Sequence, residues 1–158
     1  MNIAPNEELS VDFADIGGHD VLVIKDRLSG WISAFRTKSK KTEAACEALE
    51  DHFYEFGLPS RITSDGGPAF QGAFTEWLRG WHINHHTTPA HHPRSNGLVE
   101  RGVRSIREIF EKQDKHMSQK LLKRICFLVN SHPQRNGSGS PNEKYFRRGP
   151  RSLLPNSL

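Results

Sequence analysis

Three short apolar runs near the start of the chain are separated by turns too tight for anything but neighbouring strands. Leu9 to Ala14 (LSVDFA) alternates apolar and polar residues, Asp20 to Lys25 (DVLVIK) is rich in Val and Ile, and Trp31 to Phe35 (WISAF) follows Ser29-Gly30. With Gly17-Gly18 between the first two, the pattern predicts an antiparallel meander. Thr42, read as an N-cap, then opens a helical spacing of Ala44, Ala45, Ala48, Leu49, Phe53 and Phe56, stopped by Gly57 and Pro59. Arg61 to Ser64 reads as a buried strand broken sharply at Asp65-Gly66-Gly67-Pro68. Phe70 to Trp81 reads as an amphipathic helix, and His82 to Thr87 as a strand with Ile83 facing in. A Pro- and His-rich loop passes through Ser95-Asn96-Gly97 into a helix carrying Val99, Val103, Ile106 and Phe110, with Glu100 in its first turn. A further helix spans about Ser118 to Ser131, Asn136 to Ser140 is a loop, Pro141 to Phe146 is one helical turn, and a basic tail follows. Three strands followed by alternating helices and strands predict an α/β fold, a mixed five-stranded sheet flanked by helices.

A chain of 158 residues suits one domain with one core. It has no run of eighteen apolar residues, so no membrane span is expected. MNIAPNEELS has no charged start leading into an apolar core, so no secretory leader is expected either. Cys46 and Cys126 lie far apart in helical segments and read as free thiols. The net charge of +4 hides an asymmetry. From Arg94 to Arg151 there are 14 Lys and Arg against five acids, a surplus of nine, which leaves the first 93 residues at −5. A basic half beside an acidic half suits a polyanion docking next to a site that holds metal. The plainer reading of those cations is a solvated helix face.

Three acids stand out by their setting. Asp12 interrupts an apolar strand where acids are scarce unless paired or binding a cation. Asp65 sits at the C-terminal tip of the fourth strand, the end at which open α/β sheets bind ligands. Glu100, at a helix start, is by itself no more than a charge that the helix dipole favours. If the first and fourth strands lie side by side, the three carboxylates can converge with the help of a helix packed on the sheet. Clustered carboxylates repel unless protonated or bridged, and Mg²⁺ or Mn²⁺ is the hard, oxygen-seeking bridge. Two such ions can activate an attacking oxygen and stabilise a leaving one at a phosphodiester. The cations after Glu100 would then hold the phosphate backbone. Asp15, Asp20 and Asp26 compete as ligands, but Asp12 has the better setting between inward-facing Val11 and Phe13, and Asp26 reads as structural.

Five motifs in order carry a family resemblance: Val11-Asp12-Phe13; Val23 to Ser29 (VIKDRLS); Phe56-Gly57-Leu58-Pro59; Ser64 to Phe70 (SDGGPAF); and His92 to Arg101 (HPRSNGLVER). Over about residues 9–130 the chain resembles the catalytic core of retroviral and long-terminal-repeat retrotransposon integrases, most closely the gypsy-type elements or genes domesticated from them. The resemblance implies a ribonuclease-H-like fold and an Asp12, Asp65, Glu100 triad binding two divalent ions, Mg²⁺ or Mn²⁺. It implies 3′-end processing by water and then strand transfer by a 3′-hydroxyl. It also implies DNA as partner (element ends and target), a homodimer or higher oligomer, no membrane, and work in the nucleus after passage through the cytoplasm. His92, Arg94 and Asn96 become residues of a mobile loop at the scissile phosphate, and Arg104 and Arg107 a grip on end DNA.

There are departures. Thirty-four residues separate Asp65 from Glu100, one fewer than is usual in the family, with the loss near Gln71-Gly72. Arg94 stands where Gln is common. The family's zinc-binding and C-terminal DNA-binding domains have no counterpart, so residues 1–133 are expected to be the core and 134–158 a basic extension. The competing expectations are a domesticated module that binds DNA or dimerises without catalysis, and a nuclease that hydrolyses without strand transfer. His82, His85, His86, His91 and His92 match no closed zinc site and read as ordinary strand, surface and loop residues, apart from His92. Trp31, Trp77 and Trp81 read as core or dimer-face aromatics.

Overall fold

The computed structural model describes residues 4–89, 93–113, 116–133 and 137–146, with side chains of 93–98 outside that description. The meander forms as β1 (Glu8–Ile16), β2 (His19–Asp26) and β3 (Ile32–Arg36), followed by α1 (Thr42–Phe56) and β4 (Arg61–Asp65). A 3₁₀ turn (Pro68–Phe70) precedes α2 (Gly72–Gly80), β5 (Asn84–Thr88), α3 (Pro93–Glu111), α4 (Gln119–Ser131) and α5 (Pro141–Phe146). The five-stranded sheet has the order β3-β2-β1-β4-β5, antiparallel within the meander and parallel across β1, β4 and β5. This is the mixed sheet flanked by helices that the element order predicts.

Because side chains alternate across a sheet, β1 and β2 supply both faces. Leu9, Val11, Leu22, Ile24 and Ile62 pack with Leu49 and Phe53 of α1 and Phe74 and Leu78 of α2. Ala14, Ile16, Val21, Val23 and Ile32 pack with Val99, Val103 and Ile106 of α3 and Leu122 and Ile125 of α4. The edge strand β3 is closed by amides of α4. Asn130 Oδ1 accepts from Ile32 N at 2.8 Å while its Nδ2 donates to Ile32 O at 2.8 Å. Gln119 repeats the pattern on Ala34 O (3.0 Å) and Arg36 N (2.7 Å). Those bonds give a bare strand edge its missing partners.

Three expectations change. Thr42 begins α1 but does not cap it: its hydroxyl donates to the Ala69 carbonyl at 2.8 Å, tying α1 to the turn after β4. The Phe70–Trp81 helix is split at Gln71, whose extended backbone separates the 3₁₀ turn from α2. Most relevant to function, α3 starts at Pro93, so Ser95-Asn96-Gly97 is helical backbone rather than a loop, and Glu100 lies in the third turn. Proline suits the first helical position, where no N–H is needed, and burial of Val99, Val103 and Ile106 outweighs the cost of Gly97 and Gly102.

Candidate active site

The parallel ladder between β1 and β4 pairs Glu8 with Arg61, Leu9 with Ile62 and Ser10 with Thr63. Two more steps along the same register bring Asp12 level with Asp65. Residues two apart share a face, so Asp12 shares that of Ala14 and Ile16, which pack under α3 and α4. Val11 and Phe13 face the opposite core, as expected. Asp65 ends β4 and its Oδ1 accepts from Gly67 N at 2.9 Å. Glu100 comes from above on α3, which Val99, Val103 and Ile106 bury against the sheet. The close approach occurs at Gly102, where a Cβ would stand 2.3 Å from Ile32 Cδ1.

Between β1 and α3 lies an open cavity of about 550 Å³, lined by Asp12, Phe13, Ala14, Asp15, Lys40, Glu100, Val103, Arg104 and Arg107. Asp65 is not in that lining, but its charge is felt there. The Asp12 carboxyl is pushed up from the ordinary 3.8 to about 6, first by burial, then by Asp65 and, more weakly, Glu100. The Phe13 backbone hydrogen bond and Lys40 act in the opposite direction. The structure thus brings Asp65 and Glu100 within electrostatic reach of Asp12, with negative charge only partly compensated there. Among the described residues no three His, Cys, Asp or Glu side chains are grouped closely enough to hold an ion as they stand. Carboxylate oxygens are nonetheless the donors that Mg²⁺ or Mn²⁺ takes, so the residues fit a divalent cation in kind and in charge.

Arg104 and Arg107 follow Glu100 along α3 and line the same cavity. Arg107 is already engaged: its Nε and Nη2 donate to the Asp15 carbonyl at 2.9 and 2.8 Å. His92 lies outside the described residues, as do the side chains of Arg94 and Asn96. The competing acids have other roles. Asp26 is 1% exposed and accepts from Asn6 N, Ser29 N and Ser29 Oγ. Asp20 pairs with Lys40 at 3.9 Å. Asp15 lines the cavity while its Oδ1 accepts from Gly18 N.

Lys40 is the cavity residue that reading the sequence missed. It lies between β3 and α1 in the run Lys38-Ser39-Lys40-Lys41, a basic patch before a helix that could have been flagged. Nothing in the sequence distinguishes which of its three lysines turns toward Asp12.

The integrase core domain family model matches residues 3–93. The chain is 34% identical over 165 residues to the Gag-Pol polyprotein of baboon endogenous virus (strain M7), a match covering 98% of this chain and 10% of that relative. It therefore spans about a tenth of the polyprotein's length. Its fold is similar to a chain of the simian T-cell lymphotropic virus intasome solved in complex with PP2A regulatory subunit B56 gamma. That match has TM-score 0.79 and 22% identity, covering 98% of this chain and 58% of that one. It is also similar to the HTLV-2 integrase catalytic core domain solved in complex with magnesium in a trimeric form (TM-score 0.73, 20% identity, 92% and 99% covered). No helix among the described residues is long and apolar enough to cross a membrane. With its mixed five-stranded sheet in the ribonuclease-H-like arrangement, the chain belongs to the integrase core domain family.

Proposed function

We propose that this domain is the catalytic core of a divalent-metal-dependent polynucleotidyl transferase and endonuclease acting on DNA, with Asp12, Asp65 and Glu100 as its carboxylate triad. The observation that carries the reading is the convergence of the three acids: Asp12 and Asp65 share a sheet face, and Glu100 approaches from the helix packed on it. Holding Asp12 ionised there costs stability that a purely structural residue would not demand.

In this reading the three carboxylates hold two Mg²⁺ or Mn²⁺ ions. When bound, such ions supply Lewis-acid charge beside the scissile phosphodiester. Arg104, Arg107 and Lys40 place positive charge on the rim of the cavity and bind the phosphates flanking the reacting bond. Arg107, with its guanidinium anchored on the Asp15 carbonyl, keeps N–H donors to offer. His92, Arg94 and Asn96, just upstream of Glu100, contact the scissile strand. The two steps are one displacement at phosphorus, in which an O–P bond forms as the bond to the 3′ oxygen of the attacked strand breaks and that oxygen leaves as a 3′-hydroxyl; the nucleophile is water in 3′-end processing and a DNA 3′-hydroxyl in strand transfer. The domain works as an oligomer on DNA in the nucleus; the intasome and the trimeric core of the two similar structures support an assembly.

The test is a gel assay following both nicked and joined products from a labelled duplex end, with Mg²⁺ or Mn²⁺, for wild type and Asp65→Asn. Activity confined to the wild type is expected. Equal product from the two proteins would sink the reading, and nicks without joined strands would restrict it to a nuclease.

A further inference from the structure

On the face of the sheet away from α3, directly behind Asp65, three polar side chains join at the margin of the apolar core, Ser64 buried and Thr75 and His85 half-buried. Ser64 is fully buried, and its hydroxyl donates to the Asp65 carbonyl oxygen at 2.9 Å. With its one proton committed there, Ser64 Oγ accepts from His85, whose Nε2 is 2.7 Å away. A neutral imidazole carrying its proton on Nε2 has a bare Nδ1, and the Thr75 hydroxyl lies 2.7 Å from it. The bonds therefore run in one direction, from Thr75 to His85, from His85 to Ser64, and from Ser64 to Asp65. They connect α2 and β5 to the last residue of β4. The imidazole stands T-shaped on Phe74, with centroids 5.1 Å apart and planes at 82°. Burial, with a smaller push from His86, holds it below the usual histidine range and so in the neutral form the bonds require.

Asp65 needs such support because the strand ends at it and the chain turns at once into Gly66-Gly67. Thr88 Oγ1 donates to the Ser64 carbonyl at 3.3 Å, and Gly67 N holds the carboxylate itself. One buried and two half-buried polar groups add little net stability over an apolar packing of the same shape, whereas they restrict where the Asp65 peptide can sit. We propose that His85 is a positioning residue for Asp65, holding its backbone through Ser64 so that the carboxylate is presented in one orientation to a divalent cation. The proposal rests on the reading of Asp65 as a ligand.

The experiment measures Mn²⁺ binding to the purified protein by electron paramagnetic resonance of the free ion, alongside melting without metal. The proteins compared are wild type, His85→Phe, His85→Gln, Ser64→Ala and Asp65→Asn. His85→Phe keeps the ring on Phe74 and removes both hydrogen bonds, while His85→Gln restores a donor near Nε2. Loss of an outer partner of a ligand weakens metal binding by about 10–100-fold. That loss is expected for His85→Phe and Ser64→Ala, with His85→Gln recovering most of it. A long-range ¹⁵N–¹H spectrum of the metal-free wild type is expected to show His85 as the Nε2–H tautomer. If His85→Phe does not fold, Ser64→Ala and the tautomer decide the matter. Wild-type Mn²⁺ affinity in Ser64→Ala, or an Nδ1–H tautomer, overturns the proposal and leaves the triad standing provided Asp65→Asn has lost the ion. Unchanged Mn²⁺ binding by Asp65→Asn overturns the triad, and the proposal with it.

Discussion

Replacing Gly102 by Ala sets two opposed effects against each other at the point where α3 touches the sheet. A glycine in a helix interior costs ~1 kcal/mol relative to alanine, so the substitution favours the helix itself. The new Cβ, however, would lie 2.3 Å from Ile32 Cδ1, more than an ångström inside the ~3.5 Å at which carbon atoms make good contact. Ile32 is 1% exposed and enclosed by the α3–α4 core, so its methyl cannot swing into solvent. Overpacking of this kind costs ~1–3 kcal/mol. The clash should win, and Gly102→Ala should lose up to about 2 kcal/mol while lifting α3, and Glu100 two residues earlier, from β1. Ile32→Val deletes the offending Cδ1, at a cost alone of ~0.5–1.5 kcal/mol. In the double variant the alanine methyl fills the space left behind, so the two changes together should come close to wild type, a favourable coupling of about 1–3 kcal/mol. Urea denaturation of the four proteins at constant slope measures that coupling, and Mn²⁺ binding should fall in Gly102→Ala and recover in the pair. Additive losses in the double variant would refute the argument that this one contact sets the height of α3.

Asp12→Asn should stabilise the metal-free fold. The folded carboxyl holds its proton up to about 6 against an ordinary 3.8, so the cost of ionisation is complete above pH 6 and absent below pH 4. After screening at a partly exposed group the gain is ~1–2 kcal/mol at neutral pH, read as a melting rise of ~2–4 °C per kcal/mol that fades as pH falls from 6 toward 4. Asn130→Leu should cost roughly 2–5 kcal/mol in urea denaturation, because it leaves both the N–H and the carbonyl of Ile32 buried without partners. Arg104→Ala should weaken duplex binding uniformly across sequences and reduce the slope of log affinity against log salt by about 1, the signature of one lost phosphate contact; an unchanged slope would remove Arg104 from the DNA interface.

What could be read in advance follows from what depends on local pattern. The alternating run became β1 and the Val- and Ile-rich run β2, the helical spacings became α1 and α4, and Ser118 caps α4 by accepting from Leu121 N at 3.1 Å. Asp12 and Asp65 were identifiable because an acid inside an apolar strand, or at a strand tip before two glycines, is anomalous by itself. The α3 start was misplaced because Gly97 is a poor helix former on its own, and only tertiary burial of the Val99–Val103–Ile106 stripe carries the helix through it. Gln119, Asn130 and His85 carry no local anomaly, and Lys40 has only the basic run around it. Their roles exist through partners at least ten residues away in the chain, such as Thr75 for His85 and Ile32 for Asn130. His85, read as an ordinary strand residue, is the clearest case: nothing in Asn84-His85-His86 distinguishes it from its neighbour until β5 is placed beside β4.

The late entry of Glu100 into α3 also changes what controls its charge. The field of a helix N-terminus falls off within the first turn, so a carboxylate in the third turn gains little from it. The cations that remain to balance the three acids are side chains on the cavity rim, Lys40, Arg104 and Arg107, and Arg107 is partly committed to Asp15. The cluster is therefore held together by packing, of α3 on the near face and of α1 and α2 on the far face of the sheet, rather than by its own electrostatics. Phe74 and Leu78, both fully buried there, contribute ~1.5–3 kcal/mol each, and one of them offsets the ~1–2 kcal/mol cost of an ionised Asp12. Both faces of the sheet carry apolar core; one adds the His85 support, and the other adds charges that a bound cation, more than any neighbouring residue, would stabilise.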